Sequence, residues 1–287
     1  MSRKSKFRQH CLNHRISNMQ IIAIQMTSTA DVSQNLAAVA TQLANIDFQQ
    51  PSLVLLPENF ALYAHSKAYQ DLAESLGAGV VQTQLATWAK QYGIWLVAGS
   101  LPILADSATA VNDDLGDSRV YTTSLAFDPS GTLIQHYHKL HLFDVLVPAS
   151  ADKPALTYKE SDSFLAGQNT AMFTVDELKV GMVICYDLRF PELFRQLRQQ
   201  GAELILVPAA FTTITGKAHW LTLLQARAIE NQCYILAANQ VGQHNKTKSS
   251  WGHSVIVDPW GEVITHIDSD VGHISAMIDR QKLIQIR

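Results

Sequence analysis

The sequence predicts an α/β fold, a four-layer α-β-β-α sandwich with two pseudo-symmetric halves. Three observations predict it. Strand-like apolar runs alternate with helical stretches along the chain. Two segments recur in the same order: LVLLPENF at 53–60 lines up with LILVPAAF at 204–211, and SLAFDPSGTLIQHY at 124–137 with SVIVDPWGEVITHI at 254–267. The 287 residues are 47% apolar and 16% charged, enough to bury a large core. Two such halves are expected to press one sheet face against the other and to cover both outer faces with helices, as one domain over 19–287.

The elements follow in order. A buried strand is expected at 21–26, then a helix capped by Asp31 with Leu36, Ala40 and Leu43 on one face. A strand at 53–56 ends at Pro57. Two helical stretches follow, the first stopping at Gly77 and the second running from about Val81 to Gly93, where glycine supplies a left-handed cap. A strand at 94–98 precedes a hairpin of 119–127 and 132–138 around Asp128-Pro129-Ser130-Gly131. The second half repeats the order: a strand at 180–185, a helix from Pro191 to near Gly201, a strand at 204–207, a helix at 217–231, a strand at 234–238, and a hairpin around Asp258-Pro259-Trp260-Gly261.

Bulk properties exclude several functions. A net charge of −3 argues against a nucleic-acid or anionic-membrane surface. No window approaches the roughly 20 apolar residues of a membrane span. Three cysteines, Cys11, Cys185 and Cys233, form no close pair, which argues against a disulfide framework or zinc site and for a reducing, cytoplasmic setting. Residues 1–18 carry five Lys and Arg side chains (Arg3, Lys4, Lys6, Arg8, Arg15) and no acid. They read as a disordered basic arm, or as an upstream start in place of Met19.

Two residues draw attention for chemistry. Glu58 follows a strand end, and its partner in the repeat is Ala209, so the scaffold does not require a carboxylate there. Cys185 closes the run VGMVI and precedes Tyr186-Asp187-Leu188-Arg189-Phe190-Pro191-Glu192, a strand-to-helix turn that exposes a side chain and offers N–H groups to an oxyanion. A thiol with a pKa of about 8.5 needs a base or a cation beside it to act near neutrality.

PENF at Glu58, HKLHLFD at Lys139 and CYDLRFPE at Cys185 resemble the three signatures of the nitrilase superfamily of carbon–nitrogen hydrolases. The resemblance covers nearly the whole chain from Gln20. It implies that Glu58 is base and then acid, that Cys185 is the nucleophile of a thioester intermediate, and that Lys139 and the N–H of Tyr186 hold the oxyanion. It also implies a second glutamate, matched here by Glu160 with Ser161 after it. The stretches at 211–220, 223–234 and 249–261 look like the Nit branch. That points to the amide of a small, carboxylate-bearing keto acid, deaminated glutathione first and alpha-ketoglutaramate or a related dicarboxylic acid monoamide second. Arg189 is the candidate carboxylate clamp, or else a salt-bridge partner of Asp187 or Glu192. Arg227 and Glu230 read as a buried structural pair.

Two departures stand out. Ala166-Gly167 replaces the family's Pro-Gly, and the family's basic C-terminal tail is missing after Arg287. No metal or other cofactor is expected: His136, His138 and His141 read as hairpin and loop histidines, and there is no Gly-rich phosphate loop. A homodimer or higher homo-oligomer is expected. Two rival readings are a Cys-His hydrolase using His138 or His219, which leaves Glu58 and Lys139 without roles, and a non-catalytic binding module.

Overall fold

Alternation along the strands sends successive side chains to opposite faces, and the molecule uses both faces of each sheet. A computed structural model describes residues 19–49, 51–105, 119–147 and 156–287; the basic arm 1–18, with Cys11, lies outside the described residues. The chain runs β1 (Gln20–Gln25), α1 (Val32–Ala44), β2 (Ser52–Leu55), α2 (Ser66–Leu72), α3 (Val80–Tyr92), β3 (Trp95–Leu104), β4 (Val120–Phe127) and β5 (Leu133–His138). A small hairpin, β6 (Asp144–Val147) with β7 (Leu156–Lys159), and the short β8 (Phe164–Leu165) lead into the second half. There β9 (Ala171–Val175), β10 (Leu178–Met182), α4 (Pro191–Gln199), β11 (Leu204–Ala209), α5 (Thr213–Asn231) and β12 (Tyr234–Asn239) follow. The ribbon β13 (Val241–Gln243) and β14 (Ser249–Trp251), the hairpin β15 (Val255–Val257) and β16 (Val263–His266), β17 (Gly272–Met277) and α6 (Arg280–Ile286) complete the chain.

One sheet has the order β17-β1-β2-β3-β4-β5, with β8 beside β4; the other has β16-β15-β12-β11-β10-β9. Each therefore has three parallel central strands, an antiparallel hairpin on one side and an antiparallel strand on the other. Ile21, Ala23, Leu53 and Leu55 of the first sheet meet Val180, Met182, Leu204, Leu206, Tyr234 and Leu236 of the second in one buried cluster. Their neighbours face outward: Ile22, Ile24 and Val54 pack on Val39, Leu85 and Trp88 of α1 and α3, and Ile205, Val207 and Ile235 pack on Phe194, Trp220 and Leu224 of α4 and α5. This is the α-β-β-α sandwich, and the repeated segments fall on equivalent elements, β2 with β11 and β4–β5 with β15–β16.

Local differences from the sequence reading have physical causes. Asp31 caps α1 by accepting from Gln34 N at 3.0 Å, but the buried face is Asn35, Val39 and Leu43, with Leu36 and Ala40 at its flanks. Asn35 turns inward because its amide donates to the carbonyls of Thr29 and Ala61. The first helix ends at Leu72 rather than Gly77, since Glu74 leaves it to accept from the N–H groups of Val81 and Gln82 at the start of α3. Gly93 takes the expected left-handed cap, with φ 64°. Among the described residues no helix is long and apolar enough to cross a membrane.

Candidate active site

The site forms where loops from both sheets meet. Beyond β2, Glu58 is buried, and its loop is fastened from the other half: Gln240, after β12, donates to the Glu58 carbonyl at 3.0 Å and to Ser28 Oγ at 2.7 Å. The next residue, Asn59, sits at φ 59° with its N–H on Ser100 Oγ. The chain approaches so closely that a Cβ on Gly99 would lie 2.1 Å from the Pro57 carbonyl oxygen, so only glycine fits there. Lys139 follows β5 and is also buried. Its ammonium donates to Glu58 Oε1 at 2.8 Å and to Glu160 at 3.0 and 3.1 Å. Glu160 opens a short 3-10 turn after β7, and its Oε2 also accepts from the Phe143 N–H at 2.6 Å.

Cys185 begins a second 3-10 turn, Cys185–Arg189, three residues past β10. Its φ of 47° lies in the left-handed region, strained for a residue with a side chain, and lifts the thiol out of the strand. Asp187 anchors the turn. Fully buried, it accepts from the Ile184 N–H at 2.9 Å, Tyr137 Oη at 2.8 Å, and both the N–H and Nδ1 of His141 at 3.0 and 2.7 Å. The Cys185 turn is thereby bolted to the strand end that carries Lys139. Arg227 on α5 adds a second tie, donating to the Leu188 carbonyl at 3.1 Å while paired with Glu230 at 2.9 Å.

Glu58, Lys139, Glu160 and Cys185 all line one cavity of about 300 Å³, together with Tyr186 and Arg189. The structure thus brings every expected site residue together. Burial pushes the thiol of Cys185 well up, and the negative Glu58 beside it adds to that, with Lys139 opposing. Burial works against the charge on Lys139, but Glu160 and Glu58 outweigh it and hold the ammonium well above its usual range. Burial also raises Glu160, opposed chiefly by Lys139. The resting site therefore holds a protonated thiol next to a carboxylate, with a fixed cation a hydrogen bond away.

Other candidates are placed elsewhere. Arg189 does not pair with Asp187 or Glu192: its guanidinium stands over the rings of Phe211 and Tyr186 and lies 3.4 Å from His219 Nδ1. His219 is exposed on α5, and His138 Nδ1 is engaged by Thr123 Oγ1 at 2.8 Å, so neither is set beside the thiol as Glu58 is. Among the described residues no cluster suited to a metal ion is found. Gly167, of the Ala-Gly departure, is the residue the loop requires: its N–H donates to the Lys139 carbonyl, and a Cβ there would meet the His138 carbonyl at 2.2 Å. Sequence reasoning missed Tyr63, Tyr158 and Lys248, which line the cavity from outside the three signatures. Only their polar-aromatic types in loops near the site could have suggested them.

A cysteine beside a carboxylate and a buried lysine, at the meeting of two helix-covered sheets, is the arrangement of a hydrolase site on an α-β-β-α sandwich. Residues 21–287 match the carbon-nitrogen hydrolase family, and the chain belongs to it. Within that family it is an amidase, a hydrolase of carbon–nitrogen bonds in amides. It is 39% identical over 272 residues to a deaminated glutathione amidase of Yersinia enterocolitica, covering 95% of this chain and 91% of the relative. To the omega-amidase NIT2 of Mus musculus it is 34% identical over 272 residues, covering 95% and 92%. The crystal structure of the C. elegans NitFhit protein superposes with a TM-score of 0.81 at 35% identity, covering 94% of this chain; the chain spans 63% of that longer protein.

Proposed function

We propose that this amidase hydrolyses deaminated glutathione, with Cys185 as nucleophile, Glu58 as base and acid, and Lys139 and the Tyr186 N–H as oxyanion donors. The observation that carries the reading is the buried Glu58–Lys139–Glu160 triad set against a protonated Cys185 at the floor of one cavity. Glu58 takes the thiol proton as sulfur attacks the amide carbon, and returns it to the departing nitrogen, which cannot leave unprotonated. Lys139, held between the two glutamates, faces the same cavity as Cys185 and brings its positive charge to the oxyanion. Glu160 fixes Lys139 in place. Water deprotonated by Glu58 then cleaves the thioester, releasing the acid and restoring the thiol.

The substrate class rests on the relatives named as deaminated glutathione amidases and on Arg189, a cavity cation that among the described residues has no carboxylate partner. Omega-amidase chemistry would use the same floor, so the catalytic residues cannot choose between the two. Comparing kcat/KM for deaminated glutathione and alpha-ketoglutaramate tests the choice. The larger amide is expected to be preferred, and a preference for the smaller by more than about ten-fold, roughly 1.4 kcal/mol in transition-state binding, would reverse it. A cytoplasmic location, a homo-oligomeric state and the absence of nucleic-acid partners belong to the same proposal; unpaired Cys185 and Cys233 and the mildly acidic charge support the first and last.

A further inference from the structure

Besides Lys139, Lys159 and Arg189, the cavity lining carries a fourth basic side chain, Lys248. Lys248 enters from the turn between β13 and β14, and its backbone is fixed there. The Lys248 N–H and that of Thr247 both donate to Asn245 Oδ1, at 2.9 and 3.0 Å, and the Lys248 carbonyl accepts from His244 N and Gln243 Nε2. The ammonium stands 5.9 Å from the ring centroids of both Tyr63 and Tyr158, two walls of the cavity. Arg189 touches a different set, Tyr186, Phe211 and His219. The two cations therefore rest on different residues of the cavity wall.

Among the described residues Lys248 has no anionic partner. Glu160, the carboxylate it senses, spends its oxygens on Lys139 and on the Phe143 N–H. Burial lowers the pKa of the Lys248 ammonium, the mark of a charge partly stripped of water and not repaid by a counter-ion. Aromatic faces offset only part of that loss. An anion arriving with the substrate would complete the site.

Which anion follows from where the cation stands. After attack the acyl group stays bonded to Cys185, on the turn that also carries Arg189, so Arg189 is placed to read a carboxylate on the acyl side. Lys248 stands equally near Tyr63 and Tyr158, and Tyr63 lies on the loop that carries Glu58, the group that hands a proton to the departing nitrogen. Deaminated glutathione has a carboxylate on each side of its scissile amide, one on the keto acid and one on the glycine of the leaving dipeptide. Alpha-ketoglutaramate has only the first.

Resting on the substrate reading above, we infer that Lys248 is a specificity-determining residue that binds the carboxylate of the leaving group. The test measures kcat/KM of wild type, Lys248→Gln and Lys248→Arg on three amides: deaminated glutathione, the same compound with its glycine carboxylate converted to the amide, and alpha-ketoglutaramate. Wild type should favour the free carboxylate over its amide by ten-fold or more. Lys248→Gln should erase that preference and lower the ratio of deaminated glutathione to alpha-ketoglutaramate by a similar factor, and Lys248→Arg should restore most of both. Equal preferences in wild type and Lys248→Gln would overturn the inference while leaving the substrate reading intact. A loss shared equally by all three amides would also overturn it, by placing Lys248 on the acyl side or in the framework. Failure of wild type to hydrolyse deaminated glutathione, with alpha-ketoglutaramate turned over, would remove the substrate reading and this inference with it.

Discussion

The two halves of the molecule share a scaffold and differ at their strand ends, and the difference is where the chemistry resides. Beyond β2 the first half has Glu58 where the second, at the last residue of β11, has Ala209. The second half answers with backbone: the Ala210 N–H donates to Glu58 Oε2 at 2.8 Å. After the hairpins, Lys139 in the first half corresponds to Ser269 in the second. By the register in which β1 pairs with β2 and β10 with β11, Cys185 corresponds to Met26. Met26 is buried in extended continuation of its strand, with its carbonyl accepting from Val241 N; Cys185 turns sharply into a left-handed conformation. On the proposed mechanism one half supplies acid, base and cation, the other the nucleophile and the amide that steadies the base. The inter-sheet core that joins the halves holds these groups together.

If the work is divided this way, removing the contribution of the second half should cost most. Cys185→Ala is expected to lower turnover by about 10⁴-fold or more, because the covalent route is lost outright. Its melting temperature should stay close to wild type, since alanine keeps the Cβ and the turn is held by Asp187; measurable activity in a well-folded variant would break the comparison. Removing the contribution of the first half separates two effects. Glu58→Gln should lower kcat by about 10²–10⁴-fold. It should also move the thiol titration, read as thiolate absorbance against Cys185→Ala, to lower pH, because the carboxylate that helps raise the thiol has gone. A thiol midpoint that stayed put or rose would contradict the placement of Glu58 beside sulfur. Lys139→Met should lower kcat by about 10²–10³-fold through the lost oxyanion donor. It should also destabilise the protein by about 3–5 kcal/mol, measured by denaturant unfolding, since two buried carboxylates would face each other unpaired.

That last effect marks the limit of what the sequence allowed. The repeat exposed the architecture because β2 and β11, and the two Asp-Pro-x-Gly hairpins, solve the same packing problem with the same residues. Glu58 stood out because its repeat partner is alanine. β17 escaped notice: its residues, GHISAM, show little apolar alternation, and its place is set by pairing with β1, more than 240 residues earlier in the chain. Asp187 looked like a partner for Arg189 because the two are neighbours in sequence. In the 3-10 turn Asp187 faces inward to Tyr137 and His141, while Arg189 faces the cavity. Lys248 could not be singled out, since nothing local distinguishes it from Lys246 two residues earlier. What separates them is that the cavity lies on one side of the turn.

The smallest expected effect concerns a clamp between the halves. His244, after β13 in the second half, is buried and stacked on Tyr63 at 3.9 Å. Its Nδ1 lies 2.9 Å from the Ser28 carbonyl, which can only accept, so Nδ1 carries the proton; Nε2 then accepts from the Ser250 hydroxyl at 2.9 Å. Ser28 in turn donates to the Phe60 carbonyl on the Glu58 loop. Both ring nitrogens are satisfied in the neutral form, and burial pulls the pKa of His244 down to about 4. In the unfolded chain the imidazole takes a proton below about 6.5, so between about 6.5 and 4 protons favour the unfolded state. Stability from this group is therefore complete above the unfolded pKa and lost as pH falls, by roughly 3 kcal/mol at most. His244→Gln keeps a donor and removes the titration. Its unfolding free energy should be lower than wild type at pH 7 by about 1–2 kcal/mol, from the lost hydrogen bonds and stacking. The gap should narrow as pH drops from 7 to 5, while kcat at pH 7 stays within about ten-fold of wild type, since His244 touches no reacting atom. Parallel pH slopes in the two proteins would mean that His244 takes up its proton in the fold as readily as in the unfolded chain, and that the clamp is not the neutral bridge described.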